Sequence, residues 1–145
     1  MKNYFNSNSA PKPVGHYPHS KKVGDFLFLS GVGPRKRNQK SIPGVNLNSN
    51  GEIINYNIYE QCVAVFENVK LVLEDSGAEW NDIVDVTVFL TNMKDDFKIF
   101  NNLYKEYFGD PFPTRTTIEV VSLPTPIAIE LKVIAHLKNK PNNVS

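Results

Sequence analysis

The sequence holds a single cysteine, Cys62, which excludes an internal disulfide and any metal cage built on several thiolates. It has no stretch approaching the roughly 20 apolar residues that a membrane span requires, and no membrane partner is expected. Neither sign of charge is in excess: 16 Lys and Arg against 15 Asp and Glu leave a formal +1. That balance gives no global field to draw the chain onto nucleic acid, which is not expected as a partner. The opening residues MKNYFNSNSAPKPVG have an early Lys but no apolar run after it, so no signal peptide is read there and the cytoplasm is the expected compartment. Internal repeats, a Ser/His/Asp order, a phosphate-cradling glycine loop and a dinucleotide fingerprint are also missing.

What is present suffices for one domain. The 145 residues, 41% hydrophobic and 11% aromatic, can bury a single core. Residues 1–13, polar and proline-containing, are expected to form a flexible arm, with the domain at 14–138 and a tail at 139–145. The apolar run Asp25 to Gly31 reads as a buried strand. Residues 32–50 form a loop long enough to suggest function, and a brief strand follows the turn at Asn50-Gly51.

The first helix is capped by Asn57, with Glu60 as its capping-box partner. Cys62, Phe66, Val69 and Leu73 recur at helical spacing, and Gly77 stops the helix. Ile83 to Leu90 reads as a strand with Val84, Val86, Val88 and Leu90 on one face. A second helix starts near Asn92, places Asp95 and Asp96 in its first turn, and aligns Phe97, Phe100, Tyr104 and Phe108.

Two strands, Arg115–Val121 and Ile127–Leu137, are expected to close the chain around a turn at Ser122-Leu123-Pro124-Thr125-Pro126. This order implies an α+β fold with both helices on one face of the sheet. Arg115, Thr117, Glu119, Glu130 and Lys132 are then expected together on the uncovered face, turned to water or to another subunit.

Arg115 offers a planar fork of donors suited to a carboxylate, although by composition alone a surface pairing with Glu119 or Glu130 is the more ordinary reading. Glu130, mid-strand between Ile129 and Leu131, could orient a water or act as a base if desolvated, or could sit in a cross-strand ion pair. Gly15-His16-Tyr17-Pro18-His19 places two imidazoles and a phenol together; proton transfer or ligand hydrogen bonding suits them better than metal binding. Cys62 lies on the apolar helix stripe and reads as structural. Pro34-Arg35-Lys36-Arg37 could meet a phosphate or carboxylate, yet it lacks interleaved aromatics and is poor evidence for RNA binding.

Several blocks, taken in order, resemble the RidA/YjgF family. They are Tyr17, Phe28-Leu29-Ser30-Gly31, the run Asp82 to Leu90, Asp96-Phe97 with Asn101, Tyr104 and Phe108, Phe112-Pro113-Thr114-Arg115-Thr116-Thr117, Leu123-Pro124 and Ile129-Glu130-Leu131. The resemblance spans about residues 14 to 138. It implies a chorismate-mutase-like α+β fold, a homotrimer with sites between subunits, and hydrolysis of reactive enamines or imines without metal or cofactor. It further implies that Arg115 binds a carboxylate, that Glu130 orients water, and that Tyr17, Ser30, Gly31 and Asn101 line the site. Many members carry a cysteine where this chain has Thr117, so thiol chemistry is not expected. The segment around His16 and His19 is similar to the 2-aminomuconate deaminase branch. For such a two-carboxylate substrate, Arg35 or Lys36 would meet the second carboxylate and His16 or His19 would move protons.

Overall fold

The two helices form where periodicity and capping coincide. The computed structural model describes residues 2–137, so the tail expected at 139–145 lies outside the described residues. α1 (Ile58–Asp75) starts at Asn57, whose side chain accepts from the Glu60 backbone N–H at 3.1 Å. Its stripe of Cys62, Phe66, Val69 and Leu73 is wholly buried, and Gly77 takes the left-handed φ of 83° just beyond its end. α2 (Met93–Tyr107) starts at Asn92, which accepts from Asp95 N–H. Its inner face is rotated from the expected stripe: Phe97 is exposed while Asp96 turns inward. Asp96 accepts from the Tyr56 hydroxyl at 2.6 Å, and burial holds its carboxyl above the usual range.

The main sheet has six strands: β1 (Tyr4–Phe5), β2 (Ser20–Val23), β3 (Phe26–Leu29), β6 (Ile83–Leu90), β7 (Thr114–Glu119) and β8 (Ile129–His136). Their spatial order is β1-β2-β3-β8-β6-β7. β4 (Val45–Leu47) and β5 (Ile53–Tyr56) make a separate ribbon inside and after the long loop. Only β6 and β7 run parallel; every other neighbouring pair is antiparallel. The fold is therefore α+β with a mixed sheet. No helix among the described residues is long and apolar enough to cross a membrane.

The expected closing hairpin does not form. β6 lies between β7 and β8, so Glu119 is in register with Leu90 and Glu130 with Phe89 on different sides of that strand. Proline-rich residues 122–126 thus carry the chain across β6 rather than around a tight turn. The alternation expected in β6 also breaks at its start. A register shift between Ile83 and Asp85 turns Ile83 inward and leaves Val84 exposed, after which Val86, Val88 and Leu90 are buried. β3 is not buried throughout: Leu27 and Leu29 face the helices, but Phe26 and Phe28 are 44% and 37% exposed on the opposite face.

The amino-terminal residues expected to form an arm are a strap bound to the domain. β1 pairs with β2, and Ala10 is fully buried in the core. Ser7 and Ser9 hydroxyls both donate to one carboxylate oxygen of Asp75, while Arg37 donates to the carbonyls of Ser7 and Ala10. The polar composition that suggests an arm is thus consumed by specific partners.

Phe66 stands at the centre of the aromatic core, within ring-contact range of Trp80, Phe100, Tyr104, Tyr107 and Phe108. Phe66→Ala should lower the unfolding free energy by about 3–5 kcal/mol in urea titration. The strap should respond to acid. The two serine hydroxyls hold the Asp75 carboxyl below its usual range, so their contribution is present at neutral pH and disappears as pH falls through that depressed value. Protection factors of the Ser9 and Ala10 amides should fall over that acidic interval in the native chain. In Asp75→Asn they should be low and show no such transition.

Candidate active site

Arg115 is the second residue of β7. β7 is anchored at its start by Thr114, whose hydroxyl donates to Val84 O at 3.1 Å and to Asp85 Oδ1 at 2.6 Å. Parallel pairing then sets Arg115 opposite Val86 and Thr117 opposite Val88. Since Val86 and Val88 point under the helices, Arg115 and Thr117 share that side of the sheet at its outer edge. The expectation that Arg115 and Glu130 occupy the same uncovered face is therefore overturned. Glu130 pairs with Phe89, one residue out of phase with Val88, and projects from the other side.

The guanidinium is held by rings. Its central carbon lies 4.6 Å from the Tyr104 centroid, 5.4 Å from Phe100 and 6.0 Å from Phe97, all on α2. It takes part in neither of the ion pairs among the described residues, Lys36–Glu67 and Lys70–Glu74. Glu119, a possible surface partner from sequence, instead accepts from the Met93 N–H at 2.9 Å at the start of α2. Arg115 opens into a pocket lined also by Asn101, Tyr104, Lys105 and Phe112. Among the described residues the Tyr104 hydroxyl, in this wall, and Thr117 Oγ1, on the same side of the sheet, are buried without a hydrogen-bond partner. Burial raises the Tyr104 pKa, and the Arg115 charge opposes that rise. The cradle of Phe97, Phe100 and Tyr104 is legible as a helical spacing, but sequence alone reads such a stripe as core.

A second cluster forms where β3 ends. The Ser30 hydroxyl donates to Pro18 O at 2.7 Å and the Ser30 N–H to His19 O at 3.0 Å, fixing the turn of chain that presents Gly31. Gly31 faces Glu130: a Cβ built at Gly31 would lie 2.9 Å from Glu130 Oε2. Glu130 is half-buried, and desolvation raises its pKa above the ordinary glutamate value. Two residues along β8 on the same face, Lys132 donates from Nζ to Leu29 O, and burial lowers its pKa. A cavity beside Ser30 and Gly31 is lined further by Tyr17, Lys12, Arg35 and Pro11. The strap thus supplies a wall of this cavity, which the expectation of a free arm missed.

The histidines divide. His16 lines an open groove with Tyr17, Tyr4 and Lys21. His19 is a structural clamp: its Nδ1 accepts from the Ser7 N–H at 3.0 Å, which leaves Nε2 to donate to Pro11 O at 2.7 Å. With both ring nitrogens engaged by the strap's backbone, His19 borders the Ser30–Gly31 cavity and fixes the strap against it. Arg35 reaches the cavity but also donates to Lys12 O at 2.9 Å. The candidates accordingly fall into two groups in one chain. Arg115, Asn101 and Thr117 lie at the β7 edge; Tyr17, Ser30, Gly31, Glu130 and Arg35 lie at the end of β3, with His16 nearby.

Comparison with known proteins covers the same span. The sequence profile of the family described as Endoribonuclease L-PSP matches residues 7–137. A RutC family protein of Pyrococcus abyssi is 40% identical over 130 residues, covering 90% of this chain and 93% of the relative. A protein of Dermatophagoides farinae named 2-iminobutanoate/2-iminopropanoate deaminase is 34% identical over 129 residues, covering 89% and 91%. Among solved structures, RidA from the Antarctic bacterium Psychrobacter sp. superposes with a TM-score of 0.79 at 26% identity, covering 93% of this chain and 99% of that one. E. coli TdcF with bound serine superposes at 0.78 with 29% identity, covering 93% and 98%. With nearly the whole described chain matched in sequence and in fold, the protein belongs to the RidA/YjgF family, whose profile bears the description Endoribonuclease L-PSP.

Proposed function

We propose that the protein hydrolyses a small carboxylated enamine or imine to the keto compound and ammonia. The observation that carries this reading is Arg115, a cation in an open pocket, steadied by three rings and paired with no carboxylate among the described residues. Such a group suits the carboxylate of a substrate. Glu130 complements it as a desolvated carboxylate of raised pKa able to hold and deprotonate water. Water adds to the electrophilic imine carbon, giving up a proton to Glu130; the proton returns to nitrogen, and the carbinolamine collapses to the ketone with loss of ammonia. Tyr17, exposed at the cavity rim, assists proton transfer in this scheme. The deaminase named among the relatives supports the reaction class.

Because Arg115 and Glu130 point to opposite sides of one sheet, a single chain does not present both to one small substrate. We therefore place the working site between subunits of a homotrimer, with Arg115, Asn101 and Thr117 from one copy and Tyr17, Ser30, Gly31 and Glu130 from the next. The exposed rings of Phe26 and Phe28 on the uncovered face support self-association. The substrate we favour is a 2-imino acid. A 2-aminomuconate-like dicarboxylate is the second reading, favoured by Arg35 and Lys12 in the wall beside Ser30 and Gly31. A trimer that binds metabolites without turnover is a third, favoured by the neighbour with bound serine.

Ammonia release should be measured with 2-aminoacrylate generated in situ and with 2-aminomuconate. Arg115→Ala and Glu130→Gln should each lower kcat/KM by about 100-fold or more. Mixed trimers assembled from the two inactive variants should regain part of the activity, since some interfaces then join an intact Arg115 to an intact Glu130. Wild-type turnover in either variant, or mixtures as inactive as their parents, would contradict the scheme; a tight carboxylate ligand with no ammonia release would establish the binding-only reading.

Gly31→Ala should separate stability from catalysis. The three atoms nearest the added methyl all belong to the carboxylate end of Glu130, so the fold should keep its unfolding midpoint while the displaced carboxylate lowers kcat by roughly tenfold or more.

A further inference from the structure

A strongly basic cleft adjoins the Ser30–Gly31 cavity, shares Lys12 and Arg35 with its wall, and extends beyond it to residues that the reaction above does not use. It is lined by Lys12 from the strap and by Arg35, Lys36, Arg37 and Lys40 from the loop after Gly33. Of these five cations only Lys36 has a carboxylate of the described residues within ion-pair distance, Glu67 at 3.2 Å. Four cations in one cleft are thus left without a counter-charge, in a chain whose total formal charge is +1. Bringing like charges together costs free energy, and an anion that enters the cleft recovers it.

The cleft is held in place by its backbone. The buried amide of Asn68 on α1 donates to Gly33 O at 2.8 Å and to Arg35 O at 2.6 Å. Arg37 is tied to Ser7 O and Ala10 O, and Arg35 to Lys12 O. Asn38 adopts a left-handed φ of 60°, and the Gln39 N–H closes a turn on Lys36 O. The guanidiniums therefore keep their positions while retaining further N–H groups for a ligand, and little side-chain freedom remains to be lost on binding.

We propose that this cleft is a binding site for a small molecule bearing phosphate groups. A single carboxylate neutralises one charge, whereas a phosphate ester or pyrophosphate matches several cations and accepts from arginine forks and lysines together. RNA fits less well. None of the lining residues is aromatic, so bases have nothing to stack on, and the chain's near-zero net charge gives no extended field along a strand. Lys12 and Arg35 line this cleft and the Ser30–Gly31 cavity alike, so an occupant of one lies against the wall of the other.

The test is titration of the full chain with inorganic pyrophosphate, by calorimetry and by amide chemical shifts, at about 150 mM salt, where free charges are screened within roughly 8 Å. Saturable binding is expected, with shifts at Lys12 and at the 35–40 turn. Lys40→Glu, which alters no residue assigned to the reaction, should weaken it by roughly tenfold or more without changing the unfolding midpoint. Absence of saturable binding, or equal affinity in Lys40→Glu, overturns the proposal. So does a short single-stranded RNA that binds more tightly than pyrophosphate and loses its affinity in the same variant.

Discussion

The parallel pairing of β7 onto β6, begun at Asp85 and Thr114 and carried to Leu90 and Glu119, decides which side of the sheet every group at this edge occupies. β6 is a shared template. Its buried residues Val86, Val88 and Leu90 commit Arg115, Thr117 and Glu119 on one neighbour, and Val133, Leu131 and Ile129 on the other, to the helix side. Its intervening residues Thr87 and Phe89 commit Lys132 and Glu130 to the opposite side. A slip of one residue in the β8 pairing would exchange Ile129, Leu131 and Val133 with Glu130 and Lys132 and put apolar side chains in water. β7 carries no such apolar set; its side is held by Arg115 against the α2 rings and by Glu119 on the Met93 N–H.

Much of this was legible beforehand. Both helices announce themselves through Asn57, Asn92, Gly77 and the apolar spacing of α1, because local capping and burial agree there. The family resemblance identifies the candidate side chains, since its motifs cover the chain from Tyr17 to Glu130. What sequence could not supply was pairing. In Arg115–Glu119 the alternating set Arg115, Thr117 and Glu119 is wholly polar, so alternation alone assigns it to the uncovered face and the set containing Ile118 to the helix side, the reverse of what the pairing to β6 imposes. Likewise, Pro124 and Pro126 suggest a tight turn, yet nothing local reveals that β6 occupies the space between the strands they join.

The strap is the other part that composition misrepresents. Serines, asparagines and prolines read as a disordered arm when counted, but Ser7, Ser9 and the carbonyls of Ser7, Ala10, Pro11 and Lys12 each meet a partner distant in sequence. Three of those partners, His19, Arg35 and Arg37, are themselves residues that the sequence read alone offers for chemistry or ligand binding. The strap's carbonyls are thus satisfied by these side chains, although the charges of Arg35 and Arg37 are not neutralised by that contact. The groups that stay uncancelled, Arg115 above all, carry correspondingly more weight.

Gly31 shows how a single missing atom can tie two positions together. The volume that a β-carbon would need is held by the carboxylate of Glu130, which arrives from a different strand. The effect of a substitution at either position therefore depends on the residue that stands at the other: a side chain at 31 displaces the carboxylate of Glu130, whereas a shorter residue at 130 leaves it room. Epistasis of this kind binds two positions far apart in the chain into one unit of design.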